Sequence, residues 1–217
     1  MATIAEKIQS GFELARQINE AVWMDGRDSQ QLSVDELCDY VGQEFSVNIT
    51  IQVLDVETKA VLGFIMRYEE GRRACVYIVK NTPIRWKRLV GVKELCHVVV
   101  DTEEDFNPNG VDTLQRMMSL VADMDAIENL ALRSEHIAEM VALELIYPHE
   151  DRRAHMDAIG RGEATFADIG TRYRLPEIII QMILTPAYLA MCDKYWRAVD
   201  EARRAKVVAL RAAANEG

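Results

Sequence analysis

The chain has 217 residues, 49% of them hydrophobic and 28% charged, with a formal net charge of −10 and a pI near 5.0. That apolar share excludes general disorder, and no apolar run approaches the ~20 residues of a membrane span. The acidic balance speaks against a general nucleic-acid binder, whose affinity rests on neutralising phosphates. The concentrated Arg72-Arg73 and Arg85-Trp86-Lys87-Arg88 allow a local basic patch, for which structural or substrate-facing use fits better than DNA contact.

The N-terminus starts an amphipathic helix and lacks the apolar core and cleavage site of a signal peptide, so a cytoplasmic protein is expected. Residues 3 to about 23 carry Ile4, Ile8, Phe12, Leu14, Ala15 and Ile18 near one helical face. A second helix is predicted over 33–44, where Ser33 and Glu36 form a capping-box pattern. Val47–Leu54 alternates and is β-branched, which predicts a strand; Ala60–Tyr68 and Ala74–Val79 predict two more around a turn at Glu69–Arg73. Three consecutive strands with short links point to an antiparallel meander. The four cysteines, Cys38, Cys75, Cys96 and Cys192, form no C-x-x-C pair and no zinc-ribbon spacing. They read as small buried hydrophobes in a reducing compartment.

The segment Val90–Val100 is apolar on almost every side, as a fully buried helix is, yet it contains Lys93, Glu94 and His97. At helical spacing Lys93 and His97 share a face, and Glu94 lies near His97. Charged groups are rarely buried without a partner. A compensating constellation is therefore expected, either a metal or a set of ion pairs. The pattern is that of H-E-x-x-H with Lys93 in place of the first histidine. In that motif two histidines one turn apart hold a zinc ion, and the glutamate takes a proton from metal-bound water. A third ligand must come from elsewhere. Glu135 is the candidate, on a helix face with the small or apolar Ala138, Ala142 and Leu145. Asp101, four residues past His97, can pair near Lys93 or supply an oxygen to a rearranged His97–Asp101–Glu135 site; the simpler reading is a solvated helix end. Cys96 beside His97 makes a weak nucleophile pair, because adjacent helix residues point apart.

An acidic loop follows over 101–110, with a turn at Asn107-Pro108-Asn109-Gly110. Residues 111–123 are predicted helical, with Met117 and Met118 as core filling. The Glu135 helix is predicted from about 126 to 147, ending at Pro148. His136 falls off its inner face, and His149 and His155 sit in a polar stretch without ligand spacing. Residues 165–184 look like a helix-turn-helix pair. Its second helix, Ile178–Ile183, is too apolar to read a DNA groove and suits packing or a subunit contact. A long helix over 186–213 closes the chain, with Tyr188, Leu189, Cys192, Tyr195, Trp196 and Val199 able to pack. The apolar C-terminal third makes a homodimer conceivable.

From Val76 to Pro148 the chain resembles the ImmA/IrrE group of bacterial metallopeptidases. The matching pieces are Val76-Tyr77-Ile78-Val79-Lys80-Asn81, the Arg-bearing segment Arg85–Val92, then Lys93-Glu94-Leu95-Cys96-His97. Glu135-x-x-Ala138-x-x-x-Ala142-x-x-Leu145-Ile146-Tyr147-Pro148 is similar to the family's E-x-x-A helix. The departures are Lys93 for the first zinc-binding histidine, Cys96 for a usual glycine, and Glu139 and Val141 for Asn and Phe. The resemblance implies an α+β fold with a small antiparallel three-stranded sheet, zincin-like active-site helices and a helical C-terminal region. It divides the chain into a metallopeptidase-type domain over 1–150 and a helical region over 151–217. It implies Glu94 as general base and His97 and Glu135 as zinc ligands. Lysine binds a metal only as the neutral amine, against a reference pKa of ~10.4, so Lys93 favours a site without zinc, its ammonium paired with Glu135 or Glu94. Two functions stay open. One is a non-catalytic regulator that binds a protein partner such as a transcriptional repressor. The other is an active zinc endopeptidase cutting a regulatory protein, with Asp101 or neutral Lys93 as the substitute ligand.

Overall fold

The computed structural model describes residues 4–24, 32–57, 61–101 and 130–215. The chain runs α1 (Ile4–Met24), α2 (Val34–Glu44), β1 (Asn48–Leu54), β2 (Gly63–Tyr68), a short 3-10 turn (Glu69–Gly71), β3 (Arg73–Val79), α3 (Ile84–Val100), α4 (Leu130–Ile146), α5 (His149–Gly160), α6 (Phe166–Arg172), α7 (Glu177–Ile183) and α8 (Pro186–Asn215). It is an α+β fold, mostly helical among the described residues, with one small sheet. The expected helix over 111–123, the loop beyond Asp101 and the start of the Glu135 helix lie outside the described residues.

The sheet corrects the expected antiparallel meander. Its order is β1-β3-β2, with β1 parallel and β2 antiparallel to β3. The reason lies in the strands' polarity and their links. β3 is apolar on both faces, with Ala74, Cys75, Val76, Ile78 and Val79 buried, and a strand of that kind takes the centre of a sheet. β1 and β2 are half-exposed and flank it. Only β2 and β3 are joined by a tight turn, through Glu69–Gly71. Residues 55–57 and 61–62 belong to a longer link, so β1 is free to pair on the far side.

α3 occupies the middle of the molecule. It packs against β2, β3, α1, α2 and α4, and Leu89, Val90, Gly91, Val92, Leu95, Cys96, Val98 and Val100 are buried around its circumference. It starts six residues earlier than the apolar run suggests, at Ile84, so Arg85–Arg88 form its first turns and not a loop. Arg88 is buried there, donating to the carbonyl of Tyr173 at 2.6 Å and to that of Leu32 at 3.3 Å. α2 begins with the expected box: Ser33 Oγ accepts from the Glu36 amide at 3.1 Å and the Glu36 carboxylate accepts from the Ser33 amide at 2.8 Å.

α1 lays Ile8, Phe12, Ala15 and Ile18 into the core and crosses α4 closely at Gly11, where an added Cβ would run into Val141. α6 and α7 form the helix-turn-helix-like pair. α7 buries Ile179, Ile180 and Ile183 while Ile178 and Met182 stay exposed, as its apolar character requires. All four cysteines are buried and unpaired. No described helix is long and apolar enough to cross a membrane.

Gly63 opens β2 where strand, strand and helix meet. A Cβ there would collide with Val90 of α3 and lie 2.6 Å from the Tyr77 carbonyl oxygen, a backbone atom that yields poorly. Gly63→Ala is expected to destabilise by about 1–3 kcal/mol, read from the midpoint of urea unfolding.

Candidate functional site

α3 and α4 pack side by side and bring the predicted residues together. Glu94 is 2% exposed and His97 4%, both held inside by the helix that carries them. The Lys93 ammonium lies 2.9 Å from Glu94 Oε1 and forms an ion pair with Glu135 Oε2. Glu135 Oε1 lies 3.2 Å from His97 Nε2, and Glu94 Oε2 4.0 Å from the same nitrogen. The approach of Glu135 to Nε2 is close but off line, and this buried nitrogen has no aligned hydrogen-bond partner. The side chains of Lys93 and Glu135 are 20% and 28% exposed, so this end of the group meets the surface. On α4, Ala138 and Ala142 are fully buried below Glu135, and their small side chains permit the close helix approach.

Asp101 takes another place than a ligand set with Glu135 would require. It caps the end of α3 and approaches the opposite ring nitrogen, with Oδ2 3.2 Å from His97 Nδ1. Ser134 Oγ lies 3.1 Å from the same nitrogen and donates to Asp101 Oδ1. Arg67 of β2 donates to the His97 carbonyl and lies 3.4 Å from Asp101 Oδ2. The solvated helix end expected of Asp101 is thus a 6% exposed carboxylate that orients the imidazole. Ser134 and Arg67 escaped the sequence reading. Neither has a spacing that sets it apart, since one comes from an adjacent helix and the other from a strand.

Electrostatics follow from this packing. Burial alone would depress the Lys93 ammonium, but the carboxylates of Glu94 and Glu135 outweigh it and raise its pKa. Burial likewise opposes a charge on His97; Asp101 and Glu135 overcome that and push it up to about 10. Burial would raise Glu135, and His97 with Lys93 instead pull it down to about 2. The group sets three basic side chains, Lys93, His97 and Arg67, against three acidic ones, Glu94, Asp101 and Glu135. Burial raises the Cys96 thiol, which argues against a thiolate nucleophile beside His97.

A second polar cluster lies beneath α4, α5 and α8. Arg152 and Glu144 are buried completely and pair at 2.7 Å. Arg152 also donates to the carbonyls of Leu143 at 2.9 Å and Tyr147 at 2.7 Å, and Trp196 Nε1 donates to Glu144 Oε2 at 3.1 Å. His149 Nε2 lies 2.7 Å from Asp193 Oδ1, and His149 Nδ1 is buried with no partner. Ligand atoms of Glu144, His149 and Cys192 all lie within 4.8 Å of one another, so this group could hold a metal ion. A cleft of about 530 Å³, lined by Arg16, His149, Arg153, Asp193, Trp196 and Asp200 among others, opens beside it. His155 turns to Tyr147, its Nδ1 2.8 Å from the phenol oxygen, and burial lowers its pKa. His136 is exposed.

Comparison with protein-family descriptions, curated proteins and solved structures finds no match to this chain. What the two clusters do is therefore argued from their chemistry.

Removing the ammonium would leave Glu94 buried without its nearest cation. Lys93→Met is expected to lower unfolding stability by about 3 kcal/mol, measured by urea unfolding at pH 7. The pH dependence has a definite sign. His97 binds its proton more tightly folded, at about 10, than at its ordinary 6.5, so its contribution is full below about 6.5 and lost as pH rises through 10. Glu135 is the mirror case, full above about 4.5 and lost as pH falls toward 2. The stability advantage of the parent over His97→Gln should accordingly be level between pH ~4.5 and ~6.5 and shrink toward pH ~10. An advantage that grew with pH would contradict the protonated imidazole.

Proposed function

We propose that the chain is an ImmA/IrrE-like protein whose zinc-peptidase site has been closed by internal ion pairs, and that it acts without catalysis, by binding a protein partner such as a repressor. The observation that carries this reading is the Lys93 ammonium, 2.9 Å from Glu94 and paired with Glu135. Those two carboxylates are the ones a metallopeptidase would use as base and ligand. With Lys93 between them, Glu94 has no metal-bound water to deprotonate and Glu135 is engaged by an ammonium. Lys93 and protonated His97 together supply two positive charges, the charge of a divalent ion, but no Lewis acid. Asp101 on Nδ1 of His97 keeps the arrangement by which a carboxylate orients a metal-binding histidine, which fits descent from a metal site.

A second reading is an active zinc endopeptidase, with Glu94 as base and His97, Glu135 and a neutral Lys93 around the ion. The observation in its favour is the buried His97 Nε2 without an aligned partner. Against it stands the raised Lys93 pKa, since coordination needs the deprotonated amine.

Restoring the missing ligand separates the two. In the first reading Lys93→His gains one equivalent of zinc over the parent, and Glu135→Ala in that background removes it. Metal content is measured on protein purified without chelator. Zinc in the parent that disappears on Glu135→Ala, together with cleavage of an unfolded protein substrate, would overturn the non-catalytic reading.

A further inference from the structure

We propose that Glu144, His149 and Cys192 form a separate site for a zinc-class divalent ion, open to the cleft beside α5 and α8. The donor set is one carboxylate, one imidazole and one thiol, which burial keeps protonated until an ion displaces its proton, a combination zinc accepts while keeping a fourth position for water. Three further observations support it. The first is the histidine: Asp193 Oδ1 lies 2.7 Å from His149 Nε2, and the buried, unpartnered Nδ1 is the nitrogen that would carry the lone pair in the neutral ring with its proton on Nε2. A carboxylate on the remote nitrogen is how metal-binding histidines are held in one tautomer.

The second is the carboxylate. Glu144 is fixed by Arg152 on Oε1 at 2.7 Å and by Trp196 on Oε2 at 3.1 Å, and each oxygen retains a lone pair. Arg152 is itself anchored to the carbonyls of Leu143 and Tyr147, and its Nη1, 2.7 Å from Glu144 Oε1, lies 3.7 Å from Cys192 Sγ, so the ion must sit on the side of Glu144 and Cys192 away from the guanidinium. The third is access: His149 and Asp193 line the open cleft, which gives an ion and water a route to an otherwise buried group.

Charge also closes. A divalent ion with the Cys192 thiolate, Glu144 and Asp193, offset by Arg152, sums to zero, and the cleft wall around it carries charges of both signs. Binding breaks the Cys192 S–H bond, forms a sulfur–metal bond and releases one proton to solvent. No electron is transferred. The site shares no residue with the α3–α4 group, although both stand on α4.

The test uses the full chain, stripped with chelator and titrated with Co²⁺ alone, then Zn²⁺. One equivalent of Co²⁺ should produce thiolate-to-cobalt charge-transfer absorption and release one proton, and zinc should displace it. The absorption should persist in Glu135→Gln and vanish in Cys192→Ser. Asp193→Asn should weaken binding by roughly 10- to 100-fold. His149→Gln, at the cleft wall, serves if Cys192→Ser does not fold. Absence of the charge-transfer band overturns the proposal. So does a band that survives both Cys192→Ser and His149→Gln, or one that is lost in Glu135→Gln.

Discussion

A buried carboxylate governs this molecule. Glu94 sits on a helix that is packed on nearly every side, 2% exposed, where water cannot solvate it. Its charge must be met by protein groups, and meeting it draws in Lys93 from the same helix. The remaining charges then fix their neighbours: Lys93 and His97 require Glu135 from α4, and His97 requires Asp101, which in turn is held by Ser134 and by Arg67 from β2. α3, α4 and the sheet edge are thus tied through one balanced network. Such networks are poor stabilisers in themselves, because an apolar replacement of equal volume is often neutral or better. A scaffold with no use for these groups could fill the space with aliphatic side chains. Their presence is an argument for a use.

α4 links the two polar clusters. Glu135 and Glu144 are nine residues apart, and at 3.6 residues per turn that spacing sets them on opposite sides of the helix. Glu135 faces α3 and the Lys93–His97 pair; Glu144 faces Arg152, Trp196 and Cys192. Between them Ala138, Val141 and Ala142 are completely buried. The helix is therefore a septum with a charged group on each side. A displacement of α4 along its axis would disturb both at once, so the fully buried Arg152–Glu144 pair also fixes the depth at which Glu135 enters the first site.

Much of this was legible in the sequence. The Ser33–Glu36 box, the β-branched alternation of β1 and the all-round apolarity of α3 are local signals, and local structure follows them. Lys93, Glu94 and His97 stood out because polar residues inside a buried helix need partners, and Glu135 because it shared a face with alanines. Partners contributed from a distance did not announce themselves. Arg67 and Ser134 look like ordinary polar residues until folding brings them to His97. Sheet order does not follow adjacency in sequence, and the apolarity of β3 on both faces is the better guide to its central place. His149 has no local signal, because the carboxylate and thiol near it lie on α4 and α8. Glu144 in an apolar helix was the overlooked signal, for the reasoning that singled out Glu94 applies to it equally.

In the proposed reading, a lysine at position 93 where a zinc peptidase would have histidine separates two things that a metal does together. An ion at that point would gather carboxylates and imidazole by charge, and it would also polarise a bound water. An ammonium can do only the first. It has three protons to donate and no empty orbital to accept a lone pair, so it satisfies Glu94 and Glu135 while lowering no water's pKa. The consequence reaches His97. With carboxylates near both ring nitrogens, the imidazole is stabilised with its second proton. A metal ligand must be unprotonated on the ligating nitrogen, so in the proposed reading the ammonium and the imidazolium reinforce one another in keeping a cation out. One substitution can thereby convert a site that would bind an ion into one that excludes it, while the packing of α3 against α4 is kept.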